Sequence, residues 1–253
     1  MDAHIHLADP GYAGKIEQII DDSTQHNVNH LLSNATDYQT SLDTVKLAKR
    51  FPNRVLAAVG VHPSTVLQSD PLFLDKFNEL IDQSKESIYS IGEVGLDGKY
   101  TQDQQIKAKQ AEVFRFFLSL AQDRHLPVTV HSRQAVPETL DTLQDFNLSG
   151  VLLHWYDGPT ETLQTIKQRG YFLSFGPALL YSHRLVEIAH ASDPDMILSE
   201  TDGPVTFRRL FGNRMTQPSF VIEVVRKLAD LKGMTLGDMQ STISANFHKL
   251  TEV

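Results

Sequence analysis

Short apolar runs alternate with longer amphipathic stretches eight times along this chain, and that rhythm constrains the fold more than any other feature. The extended candidates are Asp2 to Leu7, Asn29 to Asn34, Val55 to His62, Ser90 to Leu96, Pro127 to Ser132, Gly150 to Trp155, Tyr171 to Phe175 and Met196 to Asp202. Most are aliphatic or β-branched and short, as buried parallel strands are. Between them, Ile16, Ile19 and Ile20 share one face of a helix over Lys15 to Gln25, and Leu42, Val45 and Ala48 do so over Ser41 to Phe51. Ser69 and Asp70 look like a helix start before Pro71, with Leu74, Phe77 and Ile81 as the buried stripe. A long helix over Gln104 to Arg124 is expected to bury Val113, Phe116, Phe117 and Leu120. Thr160 to Arg169, Ser182 to Ala191, Ser219 to Leu231 and Gly237 to Leu250 complete the helical set.

Strand–helix alternation without an interrupting linker implies a parallel sheet with helices outside, an α/β fold. Eight repeats fit a closed (β/α)8 TIM barrel better than an open sheet. The 253 residues suit one such domain over residues 1–253, with no composition shift or low-complexity segment to mark another. The absence of cysteine excludes disulfides and thiolate metal sites, and a reducing, cytoplasmic setting is expected. A strand beginning at residue 2 leaves no room for a signal peptide before it, and no run is long enough to span a membrane. The net charge of −8 argues against broad coating of nucleic acid, so a nucleic-acid substrate would have to be held locally. No obligate protein partner is readable.

In a barrel of this kind the active site lies at the carboxyl ends of the strands. The first run, Asp2-Ala3-His4-Ile5-His6-Leu7, places Asp2, His4 and His6 on one face of an extended strand, where two imidazoles suit one metal ion. The third run ends in His62-Pro63, the fourth carries Gly92-Glu93-Val94-Gly95-Leu96-Asp97, and the fifth ends in His131-Ser132-Arg133. The sixth ends in His154-Trp155 and the eighth in Glu200-Thr201-Asp202, whereas the second and seventh end without a titratable group there. Singly, each of these residues has a structural explanation as a satisfied histidine, a cap or a turn. Gathered at one end of one barrel, they would be costly to bury unpaired, and metal ions resolve that cost. The histidines and carboxylates are enough for two divalent ions if one carboxylate bridges, an arrangement that activates water and clamps phosphoryl oxygens.

Taken in order, these motifs resemble the TatD family of metal-dependent deoxyribonucleases, within the amidohydrolase-type barrels. They are Asp2-Ala3-His4-Ile5-His6, Gly60-Val61-His62-Pro63, Ile91 to Asp97, Pro127 to Arg133, His154, and Ser199-Glu200-Thr201-Asp202-Gly203-Pro204, with Asn246-Phe247 similar to the family's last helix. The resemblance implies that His4, His6 and Asp202 hold one metal, and that Glu93 bridges to a second held by His131 and His154. It implies that Asp202 accepts the proton of the attacking water, with Arg133 and His62 holding phosphate oxygens. Glu93 would stand where many related barrels use a carboxylated lysine. Glu200, on the same face as Asp202, is placed to orient a ligand imidazole. The imidazole-rich set suits zinc or manganese, while magnesium would rely on the carboxylates.

The chain departs from the family in its loops. Gly98 and Lys99 precede Tyr100 where aromatic residues are common, and Trp155-Tyr156-Asp157 follows His154 in place of a small residue and Phe. After the last strand comes Phe207-Arg208-Arg209-Leu210-Phe211-Gly212-Asn213-Arg214, in which Arg208, Arg209 and Arg214, together with Lys99, are candidate substrate contacts. The function expected is a two-metal hydrolase cleaving phosphodiester bonds of DNA, with single strands or strand ends as substrate. The alternative is a hydrolase of a small phosphoester, lactone or amide on the same barrel. A non-catalytic barrel is a third reading, which the complete ligand set opposes.

Overall fold

Each of the eight expected runs forms a strand, and each strand pairs in parallel with the next along the chain. They are β1 (Asp2–Ile5), β2 (Leu31–Asn34), β3 (Val55–Val59), β4 (Ile88–Gly95), β5 (Val128–His131), β6 (Val151–Leu153), β7 (Phe172–Phe175) and β8 (Ile197–Ser199). The computed structural model describes residues 1–68 and 71–252. Nearly every strand residue is buried, because the interior of the barrel is filled with side chains and the outer face is covered by helices.

The ring closes between β8 and β1. The Asp202 amide donates to the His4 carbonyl (2.9 Å), and the His6 amide donates to the Gly203 carbonyl (2.8 Å). Beneath this pair the fully buried Asp2 carboxylate accepts from the Thr201 amide (2.9 Å) and the Thr201 hydroxyl (2.6 Å). The same backbone bonds that close the barrel therefore fix the relative positions of His4, His6 and Asp202.

The helices are α1 (Ile16–Gln25), α2 (Tyr38–Arg50), α3 (Pro71–Ser84), α4 (Gln104–Arg124), α5 (Val136–Leu143), α6 (Leu163–Gln168), α7 (His183–Ala191), α8 (Arg208–Phe211), α9 (Val221–Lys232) and α10 (Leu236–Thr251). The Ser69-Asp70 helix start lies outside the described residues. Helix α2 begins earlier than expected, because Asp37 and Thr40 form a reciprocal capping box ahead of the apolar stripe. In α4 it is Phe114, rather than the expected Phe116, that is fully buried with Val113 and Phe117. The buried stripe runs Gln110, Val113, Phe114, Phe117, Leu118, Ala121, the spacing of one helical face, and leaves Phe116 half-buried at its edge. Helix α5 was not expected. It is short and carries a proline in its first turn, yet Val136, Thr139, Leu140 and Leu143 keep helical spacing and are buried. At the other end of the barrel the Asn246 amide donates to the carbonyls of Pro194 and Ile197 (2.9 Å each), tying α10 to the start of β8. Among the described residues no helix is long and apolar enough to cross a membrane.

The seam makes a specific demand on stability. Removing Asp2 orphans a buried amide and a buried hydroxyl of Thr201, so Asp2→Ala should cost about 2–4 kcal/mol, a fall in Tm of roughly 5–15 °C. Because the two residues share those bonds, Asp2→Ala combined with Thr201→Val should cost clearly less than the sum of the single changes. Strict additivity in thermal or urea unfolding would contradict the stitch.

Candidate metal centre

His4 lies within β1, and His6 follows its last residue. Glu93 lies in β4, His131 ends β5, His154 follows β6 and Asp202 stands just beyond β8. At the mouth of the barrel these side chains converge on one carboxylate. Glu93 Oε2 lies 3.3 Å from His4 Nε2 and 3.4 Å from His6 Nε2. Asp202 Oδ1 lies 3.6 and 3.2 Å from the same two nitrogens, which are 3.2 Å apart. Glu93 Oε2 and the two imidazole nitrogens lie close enough together to hold one ion, with Asp202 Oδ1 beside the same two nitrogens. Glu93 Oε1 faces a different group. It lies 2.7 Å from both His131 Nδ1 and His154 Nε2, and those nitrogens are 3.4 Å apart. Donor atoms of His4, His6 and Glu93 lie close enough to hold a divalent ion, and the other Glu93 oxygen faces further imidazoles.

Outer contacts decide which ring nitrogen faces the cluster. His6 Nδ1 donates to the Asn34 carbonyl (2.8 Å), so its Nε2 lone pair points inward. His131 Nε2 donates to Asp97 Oδ2 (2.7 Å), which leaves Nδ1 as the inward lone pair. Asp97 is itself fixed by the amides of Lys99 and Tyr100, each 2.7 Å from its Oδ1. It was legible in the sequence only as the end of the Gly95-Leu96-Asp97 run, with nothing in the spacing to pair it with His131.

His62 behaves differently. The Ser64 amide donates to its Nδ1 (3.1 Å), so the neutral ring carries its proton on Nε2. That nitrogen lies 3.2 Å from His131 Nδ1 and 3.5 Å from Glu93 Oε1, and burial pulls the ring's pKa down to about 4. A neutral ring with an inward N–H is a hydrogen-bond donor at the cluster rather than a lone-pair ligand.

His4 and His154 stack in parallel, with ring centroids 3.9 Å apart and planes 8° apart. Neither Nδ1 has a hydrogen-bond partner among the described residues. Buried Glu200 is the carboxylate behind them, with an oxygen 3.8 Å from His154 Nδ1, and the Ser174 hydroxyl donates to it.

Local backbone geometry turns these side chains inward. Gly95 has φ of 145°, and a Cβ there would stand 2.0 Å from the His131 carbonyl oxygen, so β4 and β5 approach closely only with glycine at this point. The register between β4 and β5 is irregular from Ile91 to Val94, the segment containing Glu93. Asp202 (φ 51°), Trp155 (φ 39°) and Gln134 (φ 52°) adopt left-handed conformations just after their strands, a local cost that occurs most often at functional sites.

The charges respond to one another. Burial alone would raise the Glu93 carboxyl, but the surrounding His154, His62 and His4 hold it well below the usual carboxylate range. Burial acts to lower His6, yet Asp202 and Glu93 push it up to about 9. Burial likewise opposes the proton on His154, and Glu93 with Glu200 holds that ring well above its ordinary value.

A cleft of about 780 Å³ opens over the cluster, lined by His6, His62, Glu93, His131, His154 and Asp202 together with Arg133, Tyr100, Trp155, Asp9 and Asp157. Arg133 lines this cleft, just after the end of β5. Lys99, Arg208, Arg209 and Arg214 do not line the cleft. The loop folds onto itself as α8. Phe207 is buried, Phe211 stacks on Phe220 at 3.7 Å, and Arg214 lies over both Phe211 and Phe220 at 5.4 and 5.5 Å. Arg209 sits 5.9 Å from the Tyr181 ring. Phe207 and Phe211 thus pack against Trp155 and Phe220.

A metal ligand must be a free lone pair, so ions displace the protons these imidazoles hold. Loading at pH 7 should release about two protons or more, from His6 and His154 first, and affinity should rise with pH. Calorimetry in buffers of differing ionisation enthalpy reads this directly. Binding without proton release would contradict these rings as ligands.

Known proteins bear on this geometry. The profile of the family described as TatD related DNase matches residues 1–252. A metal-dependent hydrolase of Bacillus subtilis, YabD, is 27% identical over 256 residues, covering 100% of this chain and 98% of its own. The human deoxyribonuclease TATDN3 is 29% identical over 212 residues, covering 81% of this chain and 77% of its own. The crystal structure of the Escherichia coli TatD homologue YJJV superposes with a TM-score of 0.92 at 22% identity, over 100% of this chain and 97% of that one, a likeness of fold. The chain therefore belongs to the TatD-related DNase family and is a metal-dependent hydrolase.

Proposed function

We propose that this hydrolase uses two divalent ions to cleave phosphodiester bonds of DNA, at strand ends or on single strands. The observation that carries the reading is the division of Glu93. One oxygen faces His4, His6 and Asp202 and the other faces His131 and His154, so a single carboxylate serves two neighbouring positions. The imidazole-rich donor set suits zinc or manganese, with magnesium leaning on the carboxylates. The deoxyribonuclease name of the human relative supports the substrate class. The lack of cysteine suits a reducing, cytoplasmic setting.

When bound, the ions supply a polarised water and neutralise charge on the phosphoryl group. The protein's own residues do the rest. Burial would raise the Asp202 carboxyl, but the hydrogen bond from His6 and the charge of the neighbouring rings keep it low, so it is ionised and free to take a proton. Arg133 offers a fork of donors to phosphate oxygens, and the Nε2–H of His62 supplies a further donor to the same group. Asp97 orients His131 from behind, and the Glu200 carboxylate lies behind His154.

End-directed action follows from the lining of the cleft. Arg133 is the one Lys or Arg among the lining residues, whereas Asp9 and Asp157 would repel phosphates continuing past the site. One phosphate is held and no cationic track leads away from it. That same acidic rim favours the second reading, a small phosphoester, lactone or amide as substrate.

Asp202→Asn retains size and loses basicity. On end-labelled single-stranded DNA with zinc or manganese it should lower kcat by roughly a hundredfold or more, with the circular dichroism spectrum unchanged. Near-normal turnover would rule out the proton-accepting role. Failure to cleave single- or double-stranded DNA with any of these metals, alongside hydrolysis of a small phosphoester or lactone, would transfer the assignment to the second reading.

A further inference from the structure

The chain contains one tryptophan, and it lies in the cleft. Trp155 directly follows His154, its amide donating to the Ser174 hydroxyl (3.3 Å). Buried Phe207 supports the indole, with ring centroids 5.9 Å apart and planes 31° apart, while the residue keeps part of its surface exposed. A second aromatic residue, Tyr100, lines the same cleft from the loop after β4 and is 58% exposed, one of the most exposed large hydrophobic side chains described. Its ring centre lies 5.8 Å from the Arg133 guanidinium and 6.2 Å from the His62 ring.

Strand order turns these separate facts into a pattern. Tyr100 follows β4, Arg133 follows β5 and Trp155 follows β6, and the three strands are neighbours in the sheet. An aromatic residue, a cation and a second aromatic residue therefore succeed one another around the mouth. A dinucleotide presents the matching sequence of base, phosphate and base. Flat apolar rings at a solvent-facing rim gain little from water, but each offers a base a stacking surface worth roughly 1–3 kcal/mol. The acidic neighbours Asp9 and Asp157 leave such contacts as the main source of affinity beyond the phosphate itself.

We infer that Tyr100 and Trp155 are stacking platforms for the bases on either side of the phosphate held at Arg133. Trp155 is thereby a specificity-determining residue that makes the site prefer nucleobase-bearing diesters to bare sugar–phosphate. The inference rests on the DNA reading and adds to it the recognition of two bases rather than of backbone charge. It also accounts for a substrate held locally by a protein of net charge −8.

Because Trp155 is the sole tryptophan, the fluorescence of the metal-loaded protein reports on this position alone. The probes are a slowly hydrolysed phosphorothioate-linked thymidine dinucleotide and the same sugar–phosphate without bases. The dinucleotide should quench the emission and bind at least roughly 30-fold more tightly than the base-free probe. Affinities of both variants are read by calorimetry. Trp155→Leu should remove roughly 5- to 100-fold of that difference and leave the Tyr100 share, while leaving base-free affinity unchanged, and Trp155→Phe should restore most of the loss. Equal affinity of the unchanged protein for the two probes overturns the inference without recourse to any variant. So does Trp155→Leu weakening both probes alike, since the residue would then act on the fold or the metals. Cleavage of labelled single-stranded DNA is measured in parallel. Cleavage without base-dependent binding overturns the stacking alone, whereas no cleavage at all overturns the DNA reading beneath it.

Discussion

A carboxylate buried at the centre of a protein must find opposite charge or donors, and Glu93 is only 2% exposed. Isolated in a medium of low dielectric constant, its charge would cost many kcal/mol and the group would take up a proton instead. Here imidazoles from β1, β5 and β6, and from the segment after β3, surround it and hold it ionised. The rest of the site follows from that need. Three of the rings that approach Glu93 meet a polar group on their far side: the Asn34 carbonyl at His6, Asp97 at His131 and Glu200 behind His154. Removing the Asp97 carboxylate would leave the buried His131 Nε2 unpaired.

The barrel is suited to assembling such a cluster because every strand ends at the same mouth. Residues far apart in sequence, from His4 to Asp202, become neighbours without any long loop having to be ordered around them. The seam between β8 and β1 matters most, since the bond from the Asp202 amide to the His4 carbonyl joins two of the converging side chains through the backbone. Stability of the fold and geometry of the site are thus partly the same set of interactions. Above the cluster the chemistry changes from charge to surface, with Arg133 the one Lys or Arg among the lining residues and the Tyr100 ring beside it.

Much of this was legible before any coordinates. The strands declared themselves because buried parallel strands need aliphatic runs, and the side chains that converge on Glu93 did so because His4 and His6 alternate with apolar residues and the others stand at strand ends. What stayed hidden depended on contacts that spacing does not encode. Asp97 serves His131 across two strands, and Ser64 fixes the His62 proton through a backbone amide that any residue but proline would supply. Helix α5 was masked by its shortness, and the start of α2 by a capping box lying ahead of the apolar pattern. In the loop after β8, Phe207 packs against Trp155 and Phe211 against Phe220, with Arg214 over both Phe211 and Phe220, contacts that spacing does not encode either.

The central claim is that Glu93 is shared by two ions, and anomalous diffraction from zinc-loaded crystals tests it most directly. The account predicts two peaks roughly 3.5–4 Å apart, one beside His4, His6 and Asp202, the other beside His131 and His154, with the Glu93 carboxylate between them. A single peak, or two peaks that do not share Glu93, would contradict it.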